Sequence, residues 1–445
     1  MSVGKGNNIK TVAVCGLGYV GYPVSILFAD AGFHVIGVDV LGERVKRLND
    51  GENPIKGQEP GLDSLVEEVF TTGRFRATND VTEYKNADYI IVAVQTPVAE
   101  EDKKPKYKHL KEALTSIGQN MRKGVTVIIE STIAPGTMQN VVKPILEQES
   151  GMVVGKDFYL ANCPERLMPG HLLENIRYYN RVVGGWTPES ADRVIELYKN
   201  VVKGELEPTD CITAEIVKAG ENTYRDVQIA FANEMALLCE AYGANVWKVR
   251  ELINNCKKVT ETRPEALRQM HFPGAGVGGH CIPKDSWLLI HEVRDVVNPQ
   301  LIPTARHIND YMPIHMFELF QDAVKESDKK TQDLEVLILG YAYDANSDDD
   351  RNTPTLFLMK ELDKVGVKYT VHDSFIKEYK TDFKESLHDK DVIILMTAHD
   401  EYKNLDYKEM KDLMNSSPII IDGRNVFDKE EARKNGFIYK GVGNI

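Results

Sequence analysis

The sequence predicts an α/β protein with two doubly wound domains joined by a central helical region that holds one long helix. Three observations predict it. Short β-branched runs alternate with helical patterns from Ile9 to about Val202, the strand signal fades between about Thr209 and Ser327, and the alternation returns from about Asp333. Near-continuous apolar runs read as parallel strands buried on both faces, and helices between them cover those faces. The expected domains are 1–205, 206–327 and 328–445.

A chain of 445 residues suits two or three domains of roughly 100–200 residues each. Its 42 % apolar and 27 % charged composition is that of an ordinary globular protein. No apolar run approaches the roughly 20 residues that span a bilayer. The polar start MSVGKGNNIK leads straight into a strand pattern and reads as neither signal nor transit peptide, so a cytoplasmic protein is expected. A net charge of −13 argues against a nucleic-acid partner. The six cysteines are scattered without a C-x-x-C pair, so neither a zinc site nor a disulfide framework is expected.

In the first domain the strand candidates are KTVAVCGLG, HVIGVDV, ADYIIVAVQTP, GVTVIIESTI, FYLAN and RVVGG. The first runs into Gly16-Leu-Gly18-Tyr19-Val20-Gly21, followed by an apolar helical pattern. A lone G-x-G-x-x-G says little, but between a strand and a helix it is a dinucleotide fingerprint. Gly16 permits the tight turn, Gly18 admits the pyrophosphate, and Gly21 lets the helix pack on the strand. VIGVD ends in Asp39, 18 residues after Gly21, where a carboxylate binds ribose hydroxyls and repels a 2′-phosphate. The cofactor is therefore NAD rather than NADP, in a Rossmann-like domain. Tyr19, Val20, Arg44, Thr96, Pro97 and Thr132 complete the candidate cofactor contacts. Glu130, Thr132, Glu165 and Arg166 fall at strand ends, on the carboxyl edge where open sheets bind ligands.

In the middle region, Asp210–Tyr242 lacks proline and is rich in Ala, Glu, Ile and Leu, which suits one long helix at a subunit interface. Lys218 and Asn222 lie four apart on one face of it and could polarise a substrate oxygen. On spacing alone, a solvated helix face explains them as well.

FPGAGVGGHCIPKDSW is the most informative segment. Gly274, Gly276, Gly278 and Gly279 crowd one side of Cys281, and Lys284 and Asp285 follow. Glycines allow close backbone approach and expose N–H groups that stabilise an oxyanion. Lys284 and His280 are placed to lower the thiol pKa. An isolated cysteine is usually structural; in this loop, downstream of an NAD site, a nucleophile is the better reading.

The third region offers LEVLILGYAYD, VKYTVHD, DVIILMTAHD and PIIIDGRN as strands, with ESDKKTQD before them as a linker. Its first strand ends in GYAYDAN rather than clustered glycines, which speaks against a second NAD cradle. Arg351 and Arg424 sit at strand ends and could hold a diphosphate.

Taken in order, GLGYVG, IKGQEPGL, VQTP, ESTIAPGT, CPERLMPG, AEIVKAGEN, GAGVGGHCIPKD, SDDDRNTP and DGRN resemble the UDP-glucose/GDP-mannose 6-dehydrogenase family over nearly the whole chain. The resemblance implies an NAD domain, a central dimerisation region and a C-terminal domain for the nucleotide of a UDP-sugar substrate. It implies a homodimer and a four-electron oxidation at C6 of a nucleotide-linked hexose. Cys281 is then the nucleophile, Lys218 and Asn222 stabilise the oxyanion, Thr132 and Asp285 hold the water, and Glu165 is the base. Glu165, Arg166, Lys218, Asn222, Arg268, Gly278, Arg351 and Arg424 become substrate contacts. His280 stands where the UDP-glucose branch usually has serine, so the chain looks more like the UDP-N-acetylhexosamine branch, above all UDP-N-acetylmannosamine. UDP-N-acetylglucosamine, UDP-N-acetylgalactosamine and UDP-glucose remain open.

Two departures stand out. Asp344 occupies the place of a lysine found in many members, and the arginine lent across the dimer has Arg268 only as its nearest counterpart. Two rival readings also stay open: a single-step β-hydroxyacid dehydrogenase, which needs no Cys281, and a non-catalytic NAD sensor.

Overall fold

The structure, a computed structural model, describes residues 9–55, 59–168, 170–255 and 269–445. The described residues form two compact units, one from Met1–Glu221 with Trp287–Asn298 and the other from Asn222–Ser286 with Pro299–Ile445. The division falls inside a single helix, Cys211–Tyr242.

The first unit holds an eight-stranded sheet. Its strands are β1 (Thr11–Cys15), β2 (His34–Val38), β3 (Phe75–Thr78), β4 (Tyr89–Val92), β5 (Thr126–Ile129), β6 (Tyr159–Asn162), β7 (Arg181–Gly185) and β8 (Leu206–Asp210). They lie in the order β3-β2-β1-β4-β5-β6-β7-β8. The first six make the 3-2-1-4-5-6 arrangement of a dinucleotide-binding sheet, whose switch point lies between β1 and β4. β7 pairs antiparallel with β6, so the sheet is not parallel throughout. Alternation along each strand supplies two cores. Val12, Val14 and Ile91 pack on one face with the helix Gly21–Asp30, while Ala13, Ile90 and Val127 pack on the other with Leu110 and Leu114. Each fully buried aliphatic side chain contributes about 1.5–3 kcal/mol.

The second unit holds β9 (Glu335–Leu339), β10 (Lys368–His372), β11 (Val392–Leu395), β12 (Ile419–Asp422) and β13 (Ile438–Gly441) in the parallel order β10-β9-β11-β12-β13. This is the other common doubly wound order, with its switch point between β9 and β11. Val336, Ile338 and Ile394 face Met312, Met316 and Phe320 of the helix Leu301–Lys325, and Leu337, Ile393 and Ile420 face the opposite core. No helix among the described residues is long and apolar enough to cross a membrane.

The long helix runs for 32 residues, about 48 Å at 1.5 Å per residue. Small and polar residues fill its buried side, while Tyr224, Phe231 and Leu238 are exposed at seven-residue spacing.

Candidate active site

The turn after β1 is shaped by what its glycines leave out. Gly16 has φ +90°, and a Cβ there would lie 2.8 Å from the Ala93 carbonyl oxygen. A Cβ on Gly21 would come within 1.9 Å of the Gly16 carbonyl oxygen. Around Gly18, by contrast, a Cβ would meet nothing within 4 Å, so that stretch of backbone is open to an approaching group. The helix Gly21–Asp30 then sets its positive end at this turn, although the Tyr22 N–H already donates to the Gly18 carbonyl at 3.1 Å and Pro23 has none. Asp39, directly after β2, accepts the N–H of Leu17 at 2.8 Å and of Leu41 at 2.9 Å, with Arg44 Nη1 at 3.0 Å. The cradle and the acid fit a dinucleotide with its ribose beside Asp39.

Nearby groups brace this turn. The Tyr19 hydroxyl donates to Glu59, which also accepts the N–H groups of Gly170 at 2.7 Å and Leu172 at 3.0 Å. Val20 is the N-cap residue of the helix. Thr96 donates its hydroxyl to the Thr132 carbonyl at 2.5 Å and so ties the loops after β4 and β5, with Pro97 following.

The carboxyl edge of the same unit brings Glu165 and Lys218 together. Lys218 Nζ lies 3.9 Å from Glu165 Oε1, and both side chains are buried. Glu165 Oε2 also accepts the N–H of Leu167 at 2.5 Å. Arg166 is bridged to Glu221 through two nitrogens and donates to the Asn180 carbonyl at 2.5 Å. A substrate contact through Arg166 must therefore compete with Glu221. Glu130 is fully buried against Arg181 at 2.6 Å, which makes it a brace between β5 and β7.

Cys281 lies in the second unit, and the helix Ile282–Ile290, which belongs to that unit as far as Ser286, starts directly after it. The Cys281 carbonyl accepts the N–H of Asp285 at 2.9 Å, and the half-buried thiol stands at the positive end of that helix. Asp285, wholly buried, accepts from Asn222 Nδ2 at 2.6 Å and from Lys284 Nζ at 2.5 Å. Asn222, Lys284 and Asp285 thus form one group beside the cysteine. Two expectations about this loop need correcting. Burial, with Lys284 and Arg351 nearby, pushes His280 down to about 4, so it is neutral at physiological pH and adds no charge beside the thiol. Gly274 and Gly279 spend their N–H groups on Asn233 Oδ1 and the Arg351 carbonyl, at 2.9 and 2.8 Å, so neither is open to an oxyanion. Close packing explains the other glycines. A Cβ on Gly278 would lie 2.4 Å from Tyr343 Cβ, and one on Gly276 2.9 Å from the Pro313 ring.

At the carboxyl ends of β9 and β12 stand the two expected arginines. Arg351 clasps Asp349 through Nε at 2.7 Å and Nη2 at 2.5 Å. Arg424 donates Nε to the Met396 carbonyl at 2.8 Å and makes no salt bridge among the described residues. Burial pulls its pKa down, opposed by Asp344 and Asp422. Asp344 therefore sets a negative charge facing this arginine. Arg268, the remaining predicted contact, lies outside the described residues, as does Cys256.

The structure adds residues that sequence reading passed over. Glu215 accepts the N–H groups of Gly136 at 2.8 Å and Met138 at 2.7 Å and so holds the APGT turn; burial pushes it up to about 7. Asp226, wholly buried, receives Arg306 Nη1 at 2.5 Å and the Ser286 hydroxyl at 2.9 Å. A signal existed: Glu215, Lys218, Asn222 and Asp226 follow one another at helical spacing on a single face of an alanine-rich helix.

Comparison with known proteins gives the family. The NAD binding domain, central domain and UDP binding domain of the UDP-glucose/GDP-mannose dehydrogenase family match residues 10–202, 212–311 and 337–429. The UDP-N-acetyl-D-mannosamine dehydrogenase of Pyrococcus horikoshii is 36 % identical over 97 % of this chain and 99 % of its own. A structure of the UDP-D-ManNAc dehydrogenase from that organism gives a TM-score of 0.89 at 36 % identity, covering 98 % of this chain and 99 % of that one. The NDP-N-acetyl-D-galactosaminuronic acid dehydrogenase of Methanosarcina mazei gives 0.86 at 39 % identity, covering 98 % and 95 %. With three successive family domains and a relative matched almost end to end, the chain belongs to the UDP-glucose/GDP-mannose dehydrogenase family and is an NAD-dependent nucleotide-sugar dehydrogenase.

Proposed function

We propose that this enzyme oxidises C6 of a UDP-N-acetylhexosamine, UDP-N-acetylmannosamine above all, to the uronic acid in two steps through a thioester on Cys281. The observation that carries the reading is the thiol at the head of the helix Ile282–Ile290, in a chain whose first domain takes NAD. A one-step alcohol dehydrogenase has no use for such a thiol.

NAD, when bound, is the hydride acceptor for both oxidations. Gly16, Gly18, Gly21 and Asp39 hold it, with Tyr19, Val20, Arg44, Thr96, Pro97 and Thr132 around them. Cys281 Sγ adds to the C6 aldehyde carbon and retains it as a thiohemiacetal, so the aldehyde does not escape between the two oxidations. Lys218 and Asn222 stabilise the oxygen anion formed at that carbon. Asp285 fixes the Asn222 amide, which keeps its second N–H aimed in one direction. After the second oxidation the acyl group is a thioester. Glu165 takes a proton from a water held by Thr132 and Asp285, the water oxygen bonds to the acyl carbon, and the C–S bond breaks, releasing the uronic acid and Cys281 as thiolate. Lys218 Nζ stands 3.9 Å from Glu165 Oε1, beside the carboxylate that takes this proton.

Arg424 and Arg351 bind the diphosphate, Gly278 keeps the backbone close to the sugar, and Arg166 and Arg268 supply further cationic contacts. Support for an N-acetylhexosamine comes from the relatives, which are named for mannosamine and galactosamine derivatives. The galactosamine configuration is the second reading, favoured by the Methanosarcina mazei structure at 39 % identity. We also infer a homodimer through the exposed stripe Tyr224, Phe231 and Leu238. A cytoplasmic setting goes with the reading, because the nucleophile must remain a reduced thiol.

The test is total NADH formed from a limiting amount of UDP-N-acetylmannosamine, with the glucosamine, galactosamine and glucose analogues in parallel. Two NADH per sugar are expected from the mannosamine, and at most one, with no uronic acid formed, from a Cys281→Ala variant. One NADH per sugar with free aldehyde accumulating would sink the thioester and return a single-step enzyme. Tight NAD binding without turnover of any analogue would leave a sensor.

A further inference from the structure

Behind the cysteine loop runs an unbroken chain of buried hydrogen bonds. The Gly274 N–H donates to Asn233 Oδ1 at 2.9 Å, and Asn233 Nδ2 donates to Asn309 Oδ1 at 2.8 Å. Asn309 Nδ2 donates to Asp226 Oδ1 at 2.7 Å, and Asp226 Oδ2 accepts the Ser286 hydroxyl at 2.9 Å. Asn233, Asn309, Asp226 and Ser286 are each no more than 1 % exposed. The polarity of the chain is forced from its ends. A backbone N–H can only donate, so Asn233 must present oxygen to Gly274 and nitrogen to Asn309. A carboxylate can only accept, so Asn309 must present nitrogen to Asp226 and oxygen to Asn233. Burial pushes Asp226 up, and Arg306 Nη1 at 2.5 Å, with the Ser286 hydroxyl and the Asn309 amide, opposes that push.

Where the chain ends is the informative part. Gly274 is seven residues before Cys281 and Ser286 is five after it. Both flanks of the thiol are gripped, and the middle of the grip is one amide on the helix Leu301–Lys325. Apolar packing could fasten a helix there without desolvating four polar side chains, whereas a complete buried network rigidifies and orients what it touches.

We propose that Asn309 is a positioning residue for the oxidation, the keystone of a hydrogen-bonded frame that fixes both flanks of the Cys281 loop. This rests on the reading that Cys281 is the nucleophile. Asn309 touches neither substrate nor cofactor; it acts through Asn233 on Gly274 and through Asp226 on Ser286.

The experiment compares Asn309→Leu, Asn309→Asp, Asn233→Ala and Ser286→Ala in the full chain. It reads kcat, both KM values, thermal stability and the pH dependence of Cys281 alkylation by iodoacetamide, with Cys281→Ala as background. Misplacement of a reacting group by about 1 Å costs on the order of 100-fold, so Asn309→Leu should lose about 10- to 100-fold in kcat with both KM values within about twofold. Asn233→Ala and Ser286→Ala, each cutting one arm, should lose about three- to tenfold in kcat at temperatures well below each variant's own Tm, since the groups they strand also cost stability. Asn309→Asp should recover activity relative to wild type as pH falls, because its protonated carboxyl can donate to Asp226 as the amide does. The proposal is overturned if the two single-arm variants keep wild-type kcat and alkylation profiles while Asn309→Leu loses activity only in step with its stability. Failure of the underlying reading shows separately, as two NADH per sugar from the Cys281→Ala chain.

Discussion

The two sheets begin with the same device and put it to different uses. Gly16 follows β1 with φ +90°, Gly340 follows β9 with φ +89°, and each N–H donates to the last carbonyl of the neighbouring strand, Val38 or His372. A Cβ on either would strike the backbone after the next strand, at Ala93 or Thr397. An aspartate then follows that neighbouring strand and accepts the N–H after the glycine: Asp39 takes Leu17, and Asp373 takes Tyr341 and Ala342. The divergence lies in what else the acid holds. Among the described residues Asp39 has only the half-exposed Arg44 as a side-chain partner, whereas Asp373 is fully buried against His399 at 3.0 Å. A strand, a glycine and an acid are thus insufficient for a dinucleotide site. The acid must also keep a lone pair for the ribose, and His399 removes it in the second sheet.

The largest expected effect tests that division directly. Asp373→Ala strands the N–H groups of Tyr341, Ala342, Phe375 and Ile376 as well as His399. At about 1–3 kcal/mol per buried unsatisfied group, it should cost at least about 4 kcal/mol. Asp39→Ala strands two N–H groups, the buried one of Leu17 and that of the exposed Leu41, and should cost about 2 kcal/mol. Urea unfolding of both variants checks this, and equal losses would break the comparison.

Next comes cofactor choice. Asp39→Asn keeps the turn but loses the charge, and should weaken NAD about tenfold, about 1.4 kcal/mol, while admitting NADP. Asp373→Asn should leave the NAD KM unchanged. Steady-state kinetics with both cofactors decide the matter, and a cofactor effect at Asp373 would mean that the second sheet also senses the dinucleotide.

How much of this was legible in advance follows from burial. Every strand that the sequence reading passed over, β3, β8 and β13, lies at a sheet edge. An edge strand is covered on fewer sides, so FRAT, LEPTD and IYKG carry no continuous apolar run. Central strands such as TVII and VIIL announce themselves. The same rule divides the candidate site. Glycine, cysteine and the Gly16–Asp39 spacing are local and readable, and the long helix, expected over Asp210–Tyr242, spans Cys211–Tyr242. The side-chain partners of Asp373, Asp226 and Asn309 come from other elements of the fold, 26 to 83 residues distant in the chain, and no local pattern names them.

A third prediction uses pH, where the two units should respond with opposite sign. Burial alone would push Asp373 up, but hydrogen bonds from His399 and the N–H groups of Ala342 and Phe375 hold it down, from an ordinary 3.8 to about 2. A depressed carboxyl gives stability that is fully present above about pH 4 and lost as pH falls toward 2, worth about 2.5 kcal/mol. Glu215 goes the other way, pushed by burial from 4.5 to about 7 against the N–H groups of Met138 and Gly136. Its folded state binds the extra proton, so the first unit should lose up to about 3 kcal/mol as pH rises from about 4.5 to 7. Trp186 reports the first unit and Trp247 the second, so single-tryptophan chains followed across pH separate the two. Parallel curves would show that neither acid governs its unit.

The smallest effect separates the two bonds that close the second site. His399 Nδ1 accepts the Asn346 N–H at 2.8 Å, so its proton is on Nε2 and donates to Asp373. Asparagine reaches the place of Nδ1 and glutamine that of Nε2. His399→Asn therefore keeps the acceptor for Asn346 and loses the donor to a buried carboxylate; His399→Gln does the reverse. Bonds to charged groups are worth about 1.5–3 kcal/mol and neutral ones about 0.5–1.5, so the asparagine variant should be less stable by about 1 kcal/mol. The glutamine variant should instead raise the nucleotide-sugar KM, because the loop it releases at Asn346 also carries Tyr343, whose ring lies against Gly279 beside the cysteine. If one variant lost both stability and substrate affinity while the other lost neither, His399 would serve a single bond, and the acid of the second sheet would be closed to a ribose by burial alone.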